Sequence, residues 1–248
     1  MDLIADFFRN LNATTGWNFS IFHDPFDARR FWLAFWVTAQ LAALSVVFSI
    51  VIGICGAFAQ GLRFAPVRWL VNGYIAFFRN TPPLVQMYFF FFALGAITPM
   101  TRDDIGVETP LVSNFTWALI ALSFFAGAFN VEIFRSGIEA IPRSTVEAAE
   151  SLGYSRLKAY IYVILPLAFR VCMPSLNNNL VNLIKTTTLA YAIAVPEMLY
   201  VANQIWSDTL NVVEMMNVLL VLYIGLVSLL VWMMHRWEKA TRMPGYGA

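Results

Sequence analysis

Four stretches of this chain, residues 31–62, 80–101, 109–131 and 215–234, contain no Asp, Glu, Lys or Arg. Each reaches the roughly 20 residues needed for a helix to cross about 30 Å of hydrocarbon. With 59% apolar and only 12% charged residues in 248, the chain lacks the charged surface that a soluble globule of this size would need. A β-barrel would alternate apolar and polar residues over about ten positions, and FWLAFWVTAQLAALSVVFSIVIGI does not. The expectation is an all-α integral membrane protein.

Taken in order, residues 1–30 mix Asp2, Asp6, Asp24 and Asp27 with Arg9, Arg29 and Arg30 among aromatics, the pattern of an interfacial segment. No basic n-region precedes a short apolar core, so no cleaved signal peptide is expected. A first span falls within 31–60. In it Ser45, Ser49, Gly53 and Ala57 recur every four residues, a small-residue stripe that suits close helix packing either between subunits or inside this chain. A helix over Trp69–Phe78 should end near Arg79, because Arg79-Asn80-Thr81-Pro82-Pro83 cannot continue it, and a second span resumes at Leu84 and ends about Ile97. Asp103, Asp104 and Glu108 mark a loop. The third span, 115–138, ends with Glu132 and Arg135, three apart and able to pair on one helix face. A fourth covers about 168–190, a short segment holds Pro196 and Glu197, and the fifth runs from about Val212 to His235.

The longest polar, charge-bearing segment is Pro142 to Pro166, PRSTVEAAESLGYSRLKAYIYVILP. Ser144 followed by Glu147 reads as a capping box, and Gly153 as the left-handed residue that closes a helix, predicting a two-turn helix over Thr145–Leu152. Ser155 is placed to cap a second helix, carrying Arg156 and Lys158, that continues to Pro166. The side bearing this segment collects Arg63, Arg68, Arg143, Arg156, Lys158, Arg170, Arg236, Lys239 and Arg242; beyond the first span the other side holds only Arg102. The positive-inside rule makes the richer side cytoplasmic, and five spans then place the N-terminus outside and the C-terminus inside. Asn12, Asn18 and Asn114 begin Asn-X-Ser/Thr sequons on the outer side, which in a bacterial chain are chance matches.

Catalytic chemistry finds little foothold. No phosphate-binding loop, dinucleotide fingerprint or paired-histidine metal helix is present, and His23 and His235 stand alone near the two ends. Cys55 and Cys172 read as small packing residues. No catalytic residue, metal site or cofactor is therefore expected in this chain. A self-sufficient secondary transporter carries repeats and more spans, with ionisable residues at the midplane; energy here would come from a partner, received by the polar helix.

Glu147-Ala148-Ala149, Gly153 and Val163-Ile164-Leu165-Pro166 resemble the EAA-x3-G-x9-I-x-L-P pattern of permease subunits of binding-protein-dependent ABC importers, with Val163 where isoleucine is usual. Arg79-Asn80-Thr81-Pro82-Pro83-Leu84-Val85-Gln86 is similar to the R-G-T-P-L-L-V-Q element of the polar amino acid branch, with Asn80 and Pro83 as departures. The run Glu132-Ile133-x-Arg135-x-Gly137-Ile138-x-Ala140-Ile141-Pro142 and the run Asn182-Leu183-x-Lys185-x-Thr187-Thr188-Leu189 resemble two more of its elements. The likeness covers about 31–242, with an EAA loop at 139–166 and a short cytoplasmic tail at 243–248.

The resemblance implies a multi-pass subunit of the bacterial cytoplasmic membrane. Its partners would be a second permease, either a copy or a relative, a cytoplasmic ATPase dimer carrying ATP-Mg, and a periplasmic amino-acid-binding protein. Glu147, Ala148, Ala149, Leu152 and Gly153 would couple to the ATPase. Asn178, Asn182, Lys185, Thr187 and Glu197 are candidates for an amino acid path, against the alternative that they serve interhelical hydrogen bonds or a Lys185–Glu197 pair. Another small solute such as a sugar or osmolyte, or a channel or scaffold role, would leave much of the same sequence pattern in place.

Overall fold

The computed structural model describes residues 2–102, 106 and 108–241; Asp103, Asp104, Arg242 and the tail 243–248 lie outside the described residues. The chain is helical almost throughout. The helices are α1 (Asp2–Thr15), α2 (Pro25–Gly61), α3 (Ala65–Asn80), α4 (Pro83–Tyr88), α5 (Asn114–Glu139), α6 (Arg143–Ser151), α7 (Arg156–Ala159), α8 (Leu165–Thr186), α9 (Met198–Thr209) and α10 (Val212–Thr241). A small hairpin pairs Met100–Arg102 with Glu108–Pro110.

Four helical stretches among the described residues are long and apolar enough to cross a membrane: Pro25–Gly61, Asn114–Glu139, Arg156–Ile193 and Val212–Lys239; Pro83–Ile97 is apolar but shorter. The expected break after Arg79 is present, α3 ending at Asn80 and α4 starting at Pro83. The continuation of α4 is a π-helical turn, Phe89–Leu94. The expected stop at Pro166 is absent. A π-helical turn over Tyr160–Ile164 joins α7 to α8 in one helical run, Arg156–Ile193, and Pro166 sits just after that turn, where the irregular backbone accommodates a residue without an N–H. The segment expected to be short between the last two spans contains a full helix, α9.

The chain divides into two compact units. The first comprises Met1–Leu44, Leu84–Ala121 and Ile184–Ser228. Its core joins Phe31 and Ala34 of α2 with Met198, Val201, Ala202 and Ile205 of α9 and Met215 and Leu219 of α10. The N-terminal segment is fastened to it: the Asn18 amide donates to Glu214 (2.8 Å), Asn211 Nδ2 donates to the Asn18 carbonyl (2.8 Å), and Arg30 bridges Asp27 (2.7 Å) and Asp208 (2.9 Å). Asn114 Nδ2 donates to the Ile193 carbonyl at 2.8 Å, beside Ala194, whose φ of 57° ends the preceding 3-10 turn.

The second unit comprises Ser45–Pro83, Leu122–Leu183 and Leu229–Ala248. Here the small-residue stripe is used inside the chain. Ser45, Ser49 and Ala57 are buried, and a Cβ on Gly53 would stand 2.4 Å from the Asn130 Cβ of α5. On the α5 side, Gly137 meets α8, where a Cβ would come 2.8 Å from the Ala168 carbonyl. Backbones this close bring polar side chains into register: Asn130 Nδ2 donates to Ser49 Oγ (3.2 Å), and Asn179 Nδ2 donates to Asn130 Oδ1 (2.8 Å) and to the Ala126 carbonyl (3.1 Å). In hydrocarbon such mutual satisfaction fixes helix register.

Candidate functional site

The loop between α5 and α8 is seated by a small apolar cluster of Ile141, Ile164, Leu167 and Ala168, with Val146 and Tyr160 packed against it. From this base α6 rises as a nine-residue helix. Its start differs from expectation. Pro142, with φ −60° and ψ 141°, is the N-cap, the helix begins at Arg143, and no side chain caps it, so Ser144 lies within the first turn and the capping box does not form. Proline's fixed φ already suits the extended residue before a helix, which moves the boundary upstream of the serine.

The end of α6 follows the sequence closely. Gly153 has φ +85°, its amide donates to the Glu150 carbonyl (3.0 Å), and the Tyr154 amide donates to Ala149 (3.1 Å), a Schellman closure. Nothing lies within 4 Å of where a Cβ on Gly153 would be, so backbone conformation, not space, calls for glycine. Ser155 then caps α7 by accepting from the Lys158 amide.

The two alanines of the triplet lie about 100° apart around the helix and meet different surroundings. Ala149 is buried in its own chain, while Glu147 and Ala148 are exposed; Leu152, 80% exposed, and Leu157, 69% exposed, flank them. Glu147, Ala148 and Leu152 thus form an outward patch with a small residue at its centre.

The five candidate path residues separate into two groups. Asn178, Asn182 and Lys185, spaced i, i+4, i+7, share one exposed face of α8, and Ser175 extends it. Thr187 and Glu197 are fully buried instead. The Glu197 carboxylate caps α9, accepting from the amides of Leu199 (2.9 Å) and Tyr200 (2.7 Å) and from the Tyr223 hydroxyl (3.2 Å). Beside it Thr38 Oγ1 accepts from the Met198 amide at 3.0 Å, while the Thr38 and Thr187 hydroxyls donate to the Ala34 and Ile184 carbonyls. Burial pushes the Glu197 carboxyl up to about 7, with the two amides and the tyrosine hydroxyl pulling the other way. Glu197 therefore belongs to a buried polar cluster rather than to a pair with Lys185. Thr38 and Tyr223 were not legible as its partners: each is a single polar residue in an apolar run.

Glu132 and Arg135, expected as a pair, take different partners. Glu132 pairs with Arg79 at the end of α3, whose guanidinium also lies over the Phe129 ring at 5.3 Å, and Arg135 sits 3.8 Å from Glu139. The tertiary approach of α3 offers Glu132 a cation that helix spacing alone could not reveal. Arg79, Glu132 and Arg135 line a cavity of about 430 Å³ with Gln60, Asn72 and Asn80. No cluster of three or more His, Cys, Asp or Glu able to hold a metal occurs among the described residues.

Residues 45–243 match the family described as "Binding-protein-dependent transport system inner membrane component". The chain belongs to this family. Among curated relatives it is 34% identical over 174 residues to the L-cystine transport system permease protein TcyB of Bacillus subtilis (strain 168), covering 70% of each chain. It is 28% identical over 243 residues to the glutamate/aspartate import permease protein GltJ of Escherichia coli (strain K12), covering 92% of this chain and 96% of that protein. A chain in the crystal structure of an amino acid ABC transporter with histidines superposes with a TM-score of 0.73 at 25% identity, over 86% of this chain and 94% of the other. The MetNI methionine ABC transporter in an inward-facing conformation shares the fold, with a TM-score of 0.67 at 19% identity over 89% and 99% of the two chains. As members of this family are transport components, the loop helix and the polar face of α8 are the features whose roles need assignment.

Proposed function

We propose that this chain is the permease subunit of an ATP-driven amino acid importer, and that α6 is the helix through which it couples to a cytoplasmic ATPase. The observation that carries the coupling role is the outward patch of Glu147, Ala148 and Leu152 on a short helix closed by Gly153 and anchored on the Ile141–Ile164 cluster. A helix rooted this way transmits a push into α5 and α8 rather than yielding to it, and the small residue lets a partner's groove approach closely.

In this reading the four long helices and the shorter Pro83–Ile97 segment make five spans, N-terminus outside and C-terminus in the cytoplasm, as the arginine and lysine distribution favours. A second permease completes the path. A periplasmic binding protein delivers the amino acid, and closure of the ATPase dimer around ATP-Mg moves the spans between outward- and inward-open states. Hydrolysis belongs to the partner chain. The exposed polar face of α8, Ser175, Asn178, Asn182 and Lys185, contributes donors for a substrate carboxylate and acceptors for its ammonium, and polar groups on a spanning helix are costly against lipid unless they line water or protein. The substrate class comes from the relatives, whose names specify cystine and glutamate/aspartate.

The test is transport by the assembled complex carrying Gly153→Asp or Glu147→Lys. Both variants should insert in the membrane yet lose uptake and the ATP hydrolysis stimulated by loaded binding protein. Normal uptake with normal stimulated hydrolysis in both would remove α6 from the coupling role.

A further inference from the structure

A cavity of about 840 Å³ in the second unit opens where four chain segments begin or end. Gln60 and Gly61 close α2 with Leu62 just beyond, Ala65 opens α3, Glu139 is the last residue of α5, and Tyr160 begins the π-helical turn. Helices of this length and hydropathy reach the lipid headgroup level at such ends. The cavity holds two arginines. Arg68 makes no ion pair among the described residues, and Arg135 has only the long 3.8 Å contact with Glu139. With Glu139 counted, the lining is net positive.

A second, apolar groove of about 310 Å³ shares Ala57, Phe58, Ile138 and Tyr160 with this cavity. Its remaining wall is Ile54, Phe134, Leu165, Ala168, Phe169 and Cys172, with no charged residue. Ile54 lies about two helical turns, or 10 Å of axis, inward from the end of α2, and Phe134 more than a turn inward from Glu139. Across these two adjoining hollows the lining is thus cationic at the helix ends and free of charge deeper in the span.

We propose that this pair of hollows binds one anionic phospholipid, its phosphate held between Arg68 and Arg135 and an acyl chain lying in the groove between Ile54 and Cys172. Basic pockets between spanning helices on the cytoplasmic side take anionic headgroups by direct ion pairing, and the positive-inside assignment puts these helix ends on that side. A zwitterionic lipid would bring its own cation against two arginines, so charge separates the two lipid classes. A free polar solute could use the arginines but would leave the apolar groove wet. Because α5, Ile138 and Tyr160 also support the base of α6, the site places a lipid against the root of the loop helix.

The measurement is lipid retention by the complete transporter, assembled in bilayers of equal phosphatidylglycerol and phosphatidylcholine, released into detergent and weighed by native mass spectrometry. Phosphatidylglycerol should remain bound and phosphatidylcholine should not; equal retention of the two overturns the proposal whatever any variant does. Arg68→Gln with Arg135→Gln should lower phosphatidylglycerol retention about tenfold while Arg143→Gln, at the start of α6 and outside the hollow, leaves it unchanged. Retention unaffected by the double substitution, or lowered equally by Arg143→Gln, defeats the assignment. Glycerophosphoglycerol, the headgroup without chains, should fail to displace the lipid; displacement at matched concentration would mean that the apolar groove contributes nothing.

Discussion

The starts of α6 and α9 make an instructive pair. At α6 the sequence supplies Ser144 and Glu147 at capping-box spacing, yet the helix begins at Arg143 with no side-chain cap. At α9 nothing in VPEMLY announces a cap, yet Glu197 is fully buried and satisfies two amides and a tyrosine hydroxyl. The difference follows from solvent. The first turn of α6 is exposed, where water can serve its amides, so a side-chain cap contributes little beyond what hydration gives. At α9 water is excluded, and amides left without an acceptor would cost about 1–3 kcal/mol each. A cap is imposed by burial, and a sequence pattern only makes one available.

The comparison yields graded expectations. Glu197→Ala removes the carboxylate that accepts from the Leu199 and Tyr200 amides and should cost about 2–4 kcal/mol, read as earlier thermal unfolding of the purified complex. The pH dependence has a definite sign. The folded-state carboxyl is raised from 4.5 to about 7, so the stability associated with its protonated form is fully present below 4.5 and is lost as pH climbs through 7. Glu197→Gln should flatten that decline, and an unchanged pH profile would show that another group sets it. Ala149→Leu overfills the buried side of α6 and should cost about 1–3 kcal/mol, whereas Ala148→Leu on the outer side should leave unfolding nearly unchanged and abolish coupled transport. Equal destabilisation by the two would erase the distinction between the faces. Thr38→Val takes the acceptor from the Met198 amide and should cost about 1 kcal/mol. Smallest is Ser144→Ala, expected within about 0.5 kcal/mol of the parent; a loss near 1 kcal/mol would restore the capping box.

Much of the fold was legible because hydrocarbon is an unforgiving solvent. Charge-free runs gave three of the four long helices, α2, α5 and α10, while the run 80–101 yields only the shorter Pro83–Ile97 segment and the long stretch Arg156–Ile193 carries Arg170 and Lys185. Pro82 and Pro83 gave the break between α3 and α4, and Gly153 gave the closure of α6. Pro166 misled as a stop, because the π-helical turn before it lets the helix run on through a residue without an N–H. The small-residue stripe signalled close packing but not with what; α5 supplies the answer through Asn130. The five path candidates were legible only as polar residues in or just after one span; that Asn178, Asn182 and Lys185 share an exposed face while Thr187 and Glu197 are enclosed is a matter of tertiary packing.

By itself, then, the sequence determined that this chain lives among membrane helices, where its loop helix ends, and which family pattern it carries. These depend on solvent transfer and on backbone conformation, both local properties of a run of residues. Only the tertiary structure decided that Glu132 answers Arg79, that Glu197 belongs with Tyr223 and Thr38, and that of the two alanines of α6 one is buried and the other exposed. Those outcomes rest on which helix approaches which, and residues tens to more than a hundred positions apart carry no local signal of their meeting.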